Sequence, residues 1–264
     1  MSTKRTLIAA ALAATLSGWA WAAPPETGFL DRSVALDGTE YRYQVYVPRD
    51  YGDSDRWPVI LSLHGGGSRG SDGLRPTEGG LARAIRLNVS RFPAIVVFPQ
   101  SPTEGPGWQG LGERIALGAL DSALKEFKTD PSRIYLTGYK GGNGSWYLAY
   151  NHPERFAAVV VVSGFVEEFV GPSTGTVYPA VAPESSSDPF AAVAQRVARI
   201  PIWIFHGEAD PVVPVVQSRG MAAAFEAVGA DFRYTELPGV GHNAWDPAYE
   251  SEEVTAWLFA QGRR

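Results

Sequence analysis

Four short stretches of this 264-residue chain hold residue types able to do polar chemistry, and glycine surrounds most of them. His64-Gly65-Gly66-Gly67 follows the apolar run Pro58–Leu63. Glycines there let backbone N–H groups approach a ligand oxygen without a side chain in the way. Ile134-Tyr135-Leu136 reads as a short buried strand, Gly138, Gly141, Gly142 and Gly144 follow it, and a helical run begins near Trp146. Lys140 stands in the middle of that turn. Asp210 comes before Pro211 just after the strand Ile202–Phe205, a place where a lone Asp is more often a turn former or helix cap. His242 lies in a loop before the last helix, and Gly239 and Gly241 leave its ring free to reach a neighbouring loop. An imidazole and a carboxylate are the materials of general acid–base work. Of the other histidines, His64 and His206 read as structural and His152, before Pro153, as a solvated or core residue.

These stretches together resemble one family. T-G-Y-K-G-G-N-G-S-W, Thr137–Trp146, is similar to the nucleophile elbow T-G-x-S-x-G-G-x-G-[ST]-W of secreted esterases related to polyhydroxybutyrate depolymerases and feruloyl esterases. These are carboxylesterases, dienelactone-hydrolase-like, of the α/β-hydrolase superfamily. Trp57–Asp72 (W-P-V-I-L-S-L-H-G-G-G-S-R-G-S-D) resembles their oxyanion strand and turn, His206–Pro214 their acid loop H-G-x-x-D-x-x-V-P, and Gly239–Trp245 their base loop G-x-G-H-x-x-W. The similarity runs from about Gly28 to Phe259, with elbow, acid and base in the order 140, 210, 242, the Ser…Asp…His order of α/β-hydrolases.

The resemblance implies an α/β-hydrolase fold with a mainly parallel central sheet and a carboxylic ester hydrolase acting by acyl transfer. It makes His242 the general base, Asp210 its orienter, and the N–H groups near Gly65, Gly66 and Gly141 the oxyanion donors. Trp108 and Trp245 then border the substrate cleft; Trp146 lies in a bordering segment, with a core role equally open. The resemblance implies neither metal nor organic cofactor, and a small-molecule or polymeric ester as substrate.

The nucleophile is the exception, because the elbow reads Gly138-Tyr139-Lys140-Gly141-Gly142 and holds no serine. Either a serine is deleted between Tyr139 and Lys140, which keeps K-G-G-N-G-S-W in phase with the family and is the preferred alignment, or Lys140 replaces it and one later residue is lost. Lysine is no substitute, since amine attack on an ester gives an amide that the site would not readily hydrolyse. Three accounts follow: a serine missing from the sequence as written, an impaired hydrolase that binds ester or polysaccharide ligands without turnover, or another nucleophile such as Ser145 or an activated water.

The elements that must position these residues alternate between strand and helix signals, as in a mainly parallel sheet covered on both faces. Ser33–Val47 forms a hairpin about Asp37-Gly38; strands follow at 58–63, 94–98, 133–137, 158–162 and 202–205, with 232–236 at the edge. Helices are expected near 78–87, 114–127, 145–151, 190–197, 217–228 and 252–259. Gly171–Ser187 is the one long irregular insertion, either a wall of the cleft or a plain surface loop. Met1–Ala22 has the charge, apolar run and Ala20-Trp21-Ala22 site of an export signal, leaving residues 23–264 as one hydrolase domain in the periplasm or beyond. With no cysteine there are no disulfides, and a net charge of −5 without a basic run argues against nucleic acid. No stretch is long enough to hold the chain in a membrane, and oligomeric state is not legible.

Overall fold

The computed structural model describes residues 25–140, 143–172, 175–183 and 185–263; the expected export signal lies outside them. The chain opens with a hairpin, β1 (Gly28–Leu36) and β2 (Thr39–Val47), in antiparallel register across Asp37-Gly38. Both turn residues have left-handed backbones, φ 51° and 80°, the geometry that matches strand twist in a two-residue turn. There follow β3 (Trp57–Leu63), α1 (Gly80–Leu87), β4 (Ile95–Pro99), α2 (Leu111–Glu126), β5 (Thr129–Gly138), α3 (Asn143–Asn151) and β6 (Ala158–Val162). After a ribbon of two-residue strands, β7 (Phe169–Val170) and β8 (Val177–Tyr178), come α4 (Pro189–Val197), β9 (Ile202–Gly207), α5 (Val216–Val228), β10 (Phe232–Leu237), α6 (Trp245–Glu250) and α7 (Glu252–Phe259).

The main sheet has eight strands in the order β1-β2-β4-β3-β5-β6-β9-β10, with β1, β2 and β4 meeting antiparallel and every later pair parallel. Parallel strands need crossovers, and helices on both faces bury the sheet. Alternation along the strands divides the core. Val59, Leu61, Leu63, Leu136, Val161 and Ile204 face the layer of α2, α3, α4 and α5. Ile60, Tyr135, Val160, Val162 and Phe205 face α1, α6 and α7. The strands expected from sequence all form, and β10 is the edge. The structure adds α6 and the β7–β8 ribbon, which falls partly within the expected irregular insertion.

Register sets the site. Leu63 of β3 lies opposite Gly138 of β5, and Val162 of β6 opposite Phe205 of β9. The strand ends that carry His64, Tyr139, Ser163 and the His206 loop therefore emerge side by side at the C-terminal edge, where open α/β sheets bind ligands.

Candidate active site

The loops after β9 and β10 bring Asp210 and His242 together. Their close approach depends on Gly207: a Cβ there would sit 2.1 Å from Gly241 O and 2.4 Å from Val240 O. His242 Nδ1 donates to Asp210 Oδ2 at 2.8 Å, while Val212 N and Val213 N donate to Oδ1 at 2.8 and 3.0 Å. His206 braces the carboxylate from behind. Its Nε2–H donates to Val213 O at 2.9 Å and lies 3.3 Å from Asp210 Oδ2. Burial alone pushes the Asp210 carboxyl up, but hydrogen bonds from His206, His242 and the two N–H groups outweigh it and hold its pKa well below the usual carboxylate range. An ionised Asp210 fixes the proton of His242 on Nδ1, so Nε2 is left to act on a ligand. Ser163, buried at the end of β6 with φ 51°, donates from Oγ to His242 O at 3.3 Å and supports the base loop.

Lys140 is the tip of the elbow. Its backbone is left-handed, φ 57°, two residues past Gly138, and its side chain is exposed. A non-glycine residue in this region is strained, and such strain clusters at functional sites. The β3–β5 register sets Gly138 opposite Leu63, and only Tyr139 separates it from the left-handed Lys140. Lys140 Nζ lies 4.9 Å from the Trp245 ring centroid and 5.8 Å from that of Tyr139, and the Trp245 ring meets His242 edge-on at 5.4 Å. Gly141, named with the oxyanion donors, lies outside the described residues.

The His64 turn closes the other side. His64 Nδ1–H donates to Gly65 O at 2.7 Å and Nε2 accepts from Ser101 N at 3.0 Å. Burial pushes its pKa down to about 4, so the ring is neutral and structural. Trp108 Nε1 donates to His64 O at 2.8 Å, which fixes the indole at the rim. Gly65 touches the elbow so closely that a Cβ would sit 2.2 Å from Lys140 O.

Between these loops lies a cleft of about 450 Å3, within the range of small-molecule sites. Gly65, Gly66, Trp108, Lys140, His242 and Trp245 all line it, so the sequence-derived site residues within the described chain converge, apart from Asp210, which stands behind His242. Trp146 does not join them; it is buried in the core 6.0 Å from Phe225. Ser145 is also buried and does not line the cleft. The lining further includes Arg69, Ser101, Asn143, Phe165, Phe169 and Tyr178, none of which the sequence marked. The aromatic trio comes from the segment around the β7–β8 ribbon, which walls the cleft. Its strands have two residues each, too short for any periodic signal.

Sheet order, crossovers and a His–Asp pair beside a left-handed elbow define an α/β-hydrolase. The sequence pattern of the prolyl oligopeptidase family matches residues 116–261, more than half the chain and a span that includes Lys140, Asp210 and His242, and the chain belongs to that family. It is 27% identical over 207 residues to an uncharacterized secreted protein of Arthroderma benhamiae, covering 72% of this chain and 22% of that protein. It is 25% identical over 180 residues to the probable acetylxylan esterase A of Aspergillus terreus, covering 60% of this chain and 54% of the relative. The chain thus spans about a fifth and about half of the length of these relatives. Among solved structures a thermostable esterase superposes with a TM-score of 0.70 at 30% identity, over 89% of this chain and 63% of the esterase.

Proposed function

We propose that this chain derives from exported carboxylic ester hydrolases of Ser-His-Asp type, with acid, base and oxyanion turn retained and Lys140 in the nucleophile's place. One observation carries the reading: the 2.8 Å bond between Asp210 and His242 stands behind a cleft that Lys140 also lines. In the acyl-transfer scheme a hydroxyl at position 140 passes its proton to His242 Nε2 and attacks the ester carbonyl. The oxyanion of the adduct meets N–H groups near Gly65 and Gly66, and His242 returns the proton to the departing alcohol. Water then repeats the sequence and releases the acid. The names of the two fungal relatives, a secreted protein and a probable acetylxylan esterase, support export and an ester ligand.

A lysine ammonium has no lone pair to begin this sequence, and a specific observation favours ligand binding without turnover for the chain as it stands. Ser145 is sealed in the interior, and Ser163 Oγ is committed to His242 O. Neither replaces the missing hydroxyl. The test is hydrolysis of p-nitrophenyl acetate and butyrate by the chain, by His242→Ala and by Lys140→Ser. The chain should match its His242→Ala control, and Lys140→Ser should exceed both by at least about 100-fold. His242-dependent turnover by the unaltered chain would defeat the binding reading. A folded but inert Lys140→Ser would defeat the reading of position 140 as the nucleophile's place.

A further inference from the structure

The charged side chains lining the cleft share one sign, which suits an anion better than a neutral ester. Lys140 and Arg69 bring two cations to the cleft, and no Asp or Glu is among the described residues that line it. Arg69 spends its donors on carbonyls, Nε on Pro102 O at 2.8 Å and Nη2 on Gly105 O at 2.6 Å, so its charge is held in place without a counter-ion. Among the described residues no carboxylate is paired with Lys140; its ammonium rests over the Trp245 ring instead. Asn143 opens α3 just beyond the elbow, is 2% exposed, and its Nδ2 has no hydrogen-bond partner among the described residues. Ser101, 1% exposed on the His64 side, likewise has an unpartnered Oγ. Buried donors without partners are rare in folded proteins, because each forfeits its hydration for nothing in return. Both belong to residues that line the cleft, with the two atoms themselves covered just beneath its surface. Its walls are otherwise aromatic, with Phe165 and Phe169 4.6 Å apart and Tyr178 edge-on to Phe165.

We infer that the cleft is a receptor site for an aromatic carboxylate, with Lys140 Nζ as the counter-ion of the carboxyl group and the ring seated among Phe165, Phe169 and Tyr178. This rests on reading the cleft as the acyl pocket of a hydrolase, and it names the ligand that the lysine selects. A serine at position 140 would take the ester carbonyl as a target, whereas an ammonium there holds the acid as an anion. No bond is made or broken, and the exchange of serine for lysine turns a site for the ester into a site for the free acid.

The test is calorimetric titration of the full chain with 3-phenylpropionate and with its methyl ester, which differ in the charge under question. The acid should bind at least about ten-fold more tightly than the ester, and added salt should weaken the acid alone. Lys140→Met, which keeps the length of the side chain and removes the charge, should weaken the acid at least about ten-fold and leave the ester within about two-fold. Equal affinity for acid and ester, binding of neither, or an acid affinity indifferent to Lys140→Met would overturn the inference. If Lys140→Met does not fold, the acid and ester comparison on the unaltered chain decides alone. Ester turnover by Lys140→Ser together with no preference for the acid would remove this inference and leave position 140 standing as the nucleophile's place. Preference for the acid with an inert Lys140→Ser would do the reverse.

Discussion

Gly65→Ala should damage this protein although it adds a single methyl group, and Gly67→Ala, two residues on, should not. A Cβ on Gly65 would lie 2.2 Å from Lys140 O, 2.3 Å from Lys140 Cβ and 2.9 Å from Lys140 C, against an ordinary contact of 3.4 Å or more. Two of the three atoms are backbone of a strained turn, so the elbow and the His64 turn must part by about 1 Å to admit it. Overpacking of this kind costs about 1–3 kcal/mol, which in a domain of this size lowers Tm by about 2–12 °C. A Cβ on Gly67 meets nothing within 4 Å, which makes it the matched control within the same glycine run. Thermal melts followed by circular dichroism measure the difference, and the same pair in a Lys140→Ser background measures its effect on chemistry. Parting the oxyanion turn from the elbow by about 1 Å should cost that background on the order of 100-fold in turnover. Equal melting temperatures for Gly65→Ala and Gly67→Ala would refute the packing of the oxyanion turn against the elbow, and with it the geometry assigned to the site.

Two further outcomes follow from the same geometry. His64 is neutral and buried when folded, with its pKa pushed down to about 4, while in the unfolded chain it takes up a proton near pH 6.5. Between those values the unfolded state binds more protons, so stability rises with pH; it is complete above about pH 6.5 and is lost as pH falls toward 4. From pH 7.5 to 5 this amounts to about 2 kcal/mol, which urea unfolding of the chain should show and His64→Gln should lack; equal slopes in the two proteins would contradict it. Second, Lys140→Ser should restore more esterase activity than insertion of a serine between Tyr139 and Lys140. The left-handed residue is Lys140 itself, so an insertion must shift the elbow tip or the start of α3, and the opposite ranking of initial rates would favour the deletion alignment after all.

The fold was legible because its signals are local and strong. Apolar runs such as Ala158–Val162 and Ile202–Phe205 can be little other than buried parallel strands, and Asp37-Gly38 between alternating segments is a hairpin turn. The Asp210–His242 pair was legible through motifs whose glycines have a visible purpose, as at Gly207, where the two loops that carry the pair touch. Other features depend on contacts between residues far apart in sequence. Ser163 supports His242 across 79 positions, and nothing in V-V-S-G-F announces it. Asn143 reads as one more polar residue in a glycine-rich turn until its burial beside the cleft is known. The β7–β8 ribbon is held by a short pairing and by the cluster of Phe165, Phe169 and Tyr178, and composition alone marks it as irregular. That Lys140 is the left-handed residue of the turn is a property of its backbone, which the sequence does not show.

We propose that position 140 is the nucleophile's place in an otherwise assembled acyl-transfer site. This is tested most directly by mixing Lys140→Ser with p-nitrophenyl butyrate in stopped flow, and by locating the trapped acyl group by peptide mass. A burst of about one p-nitrophenol per protein, with the butyryl mass on residue 140 and both signals absent when His242 is also replaced by alanine, is the result this account predicts. A folded Lys140→Ser that gives no burst, or that carries its acyl group on Ser101, Ser145 or Ser163 instead, would contradict it.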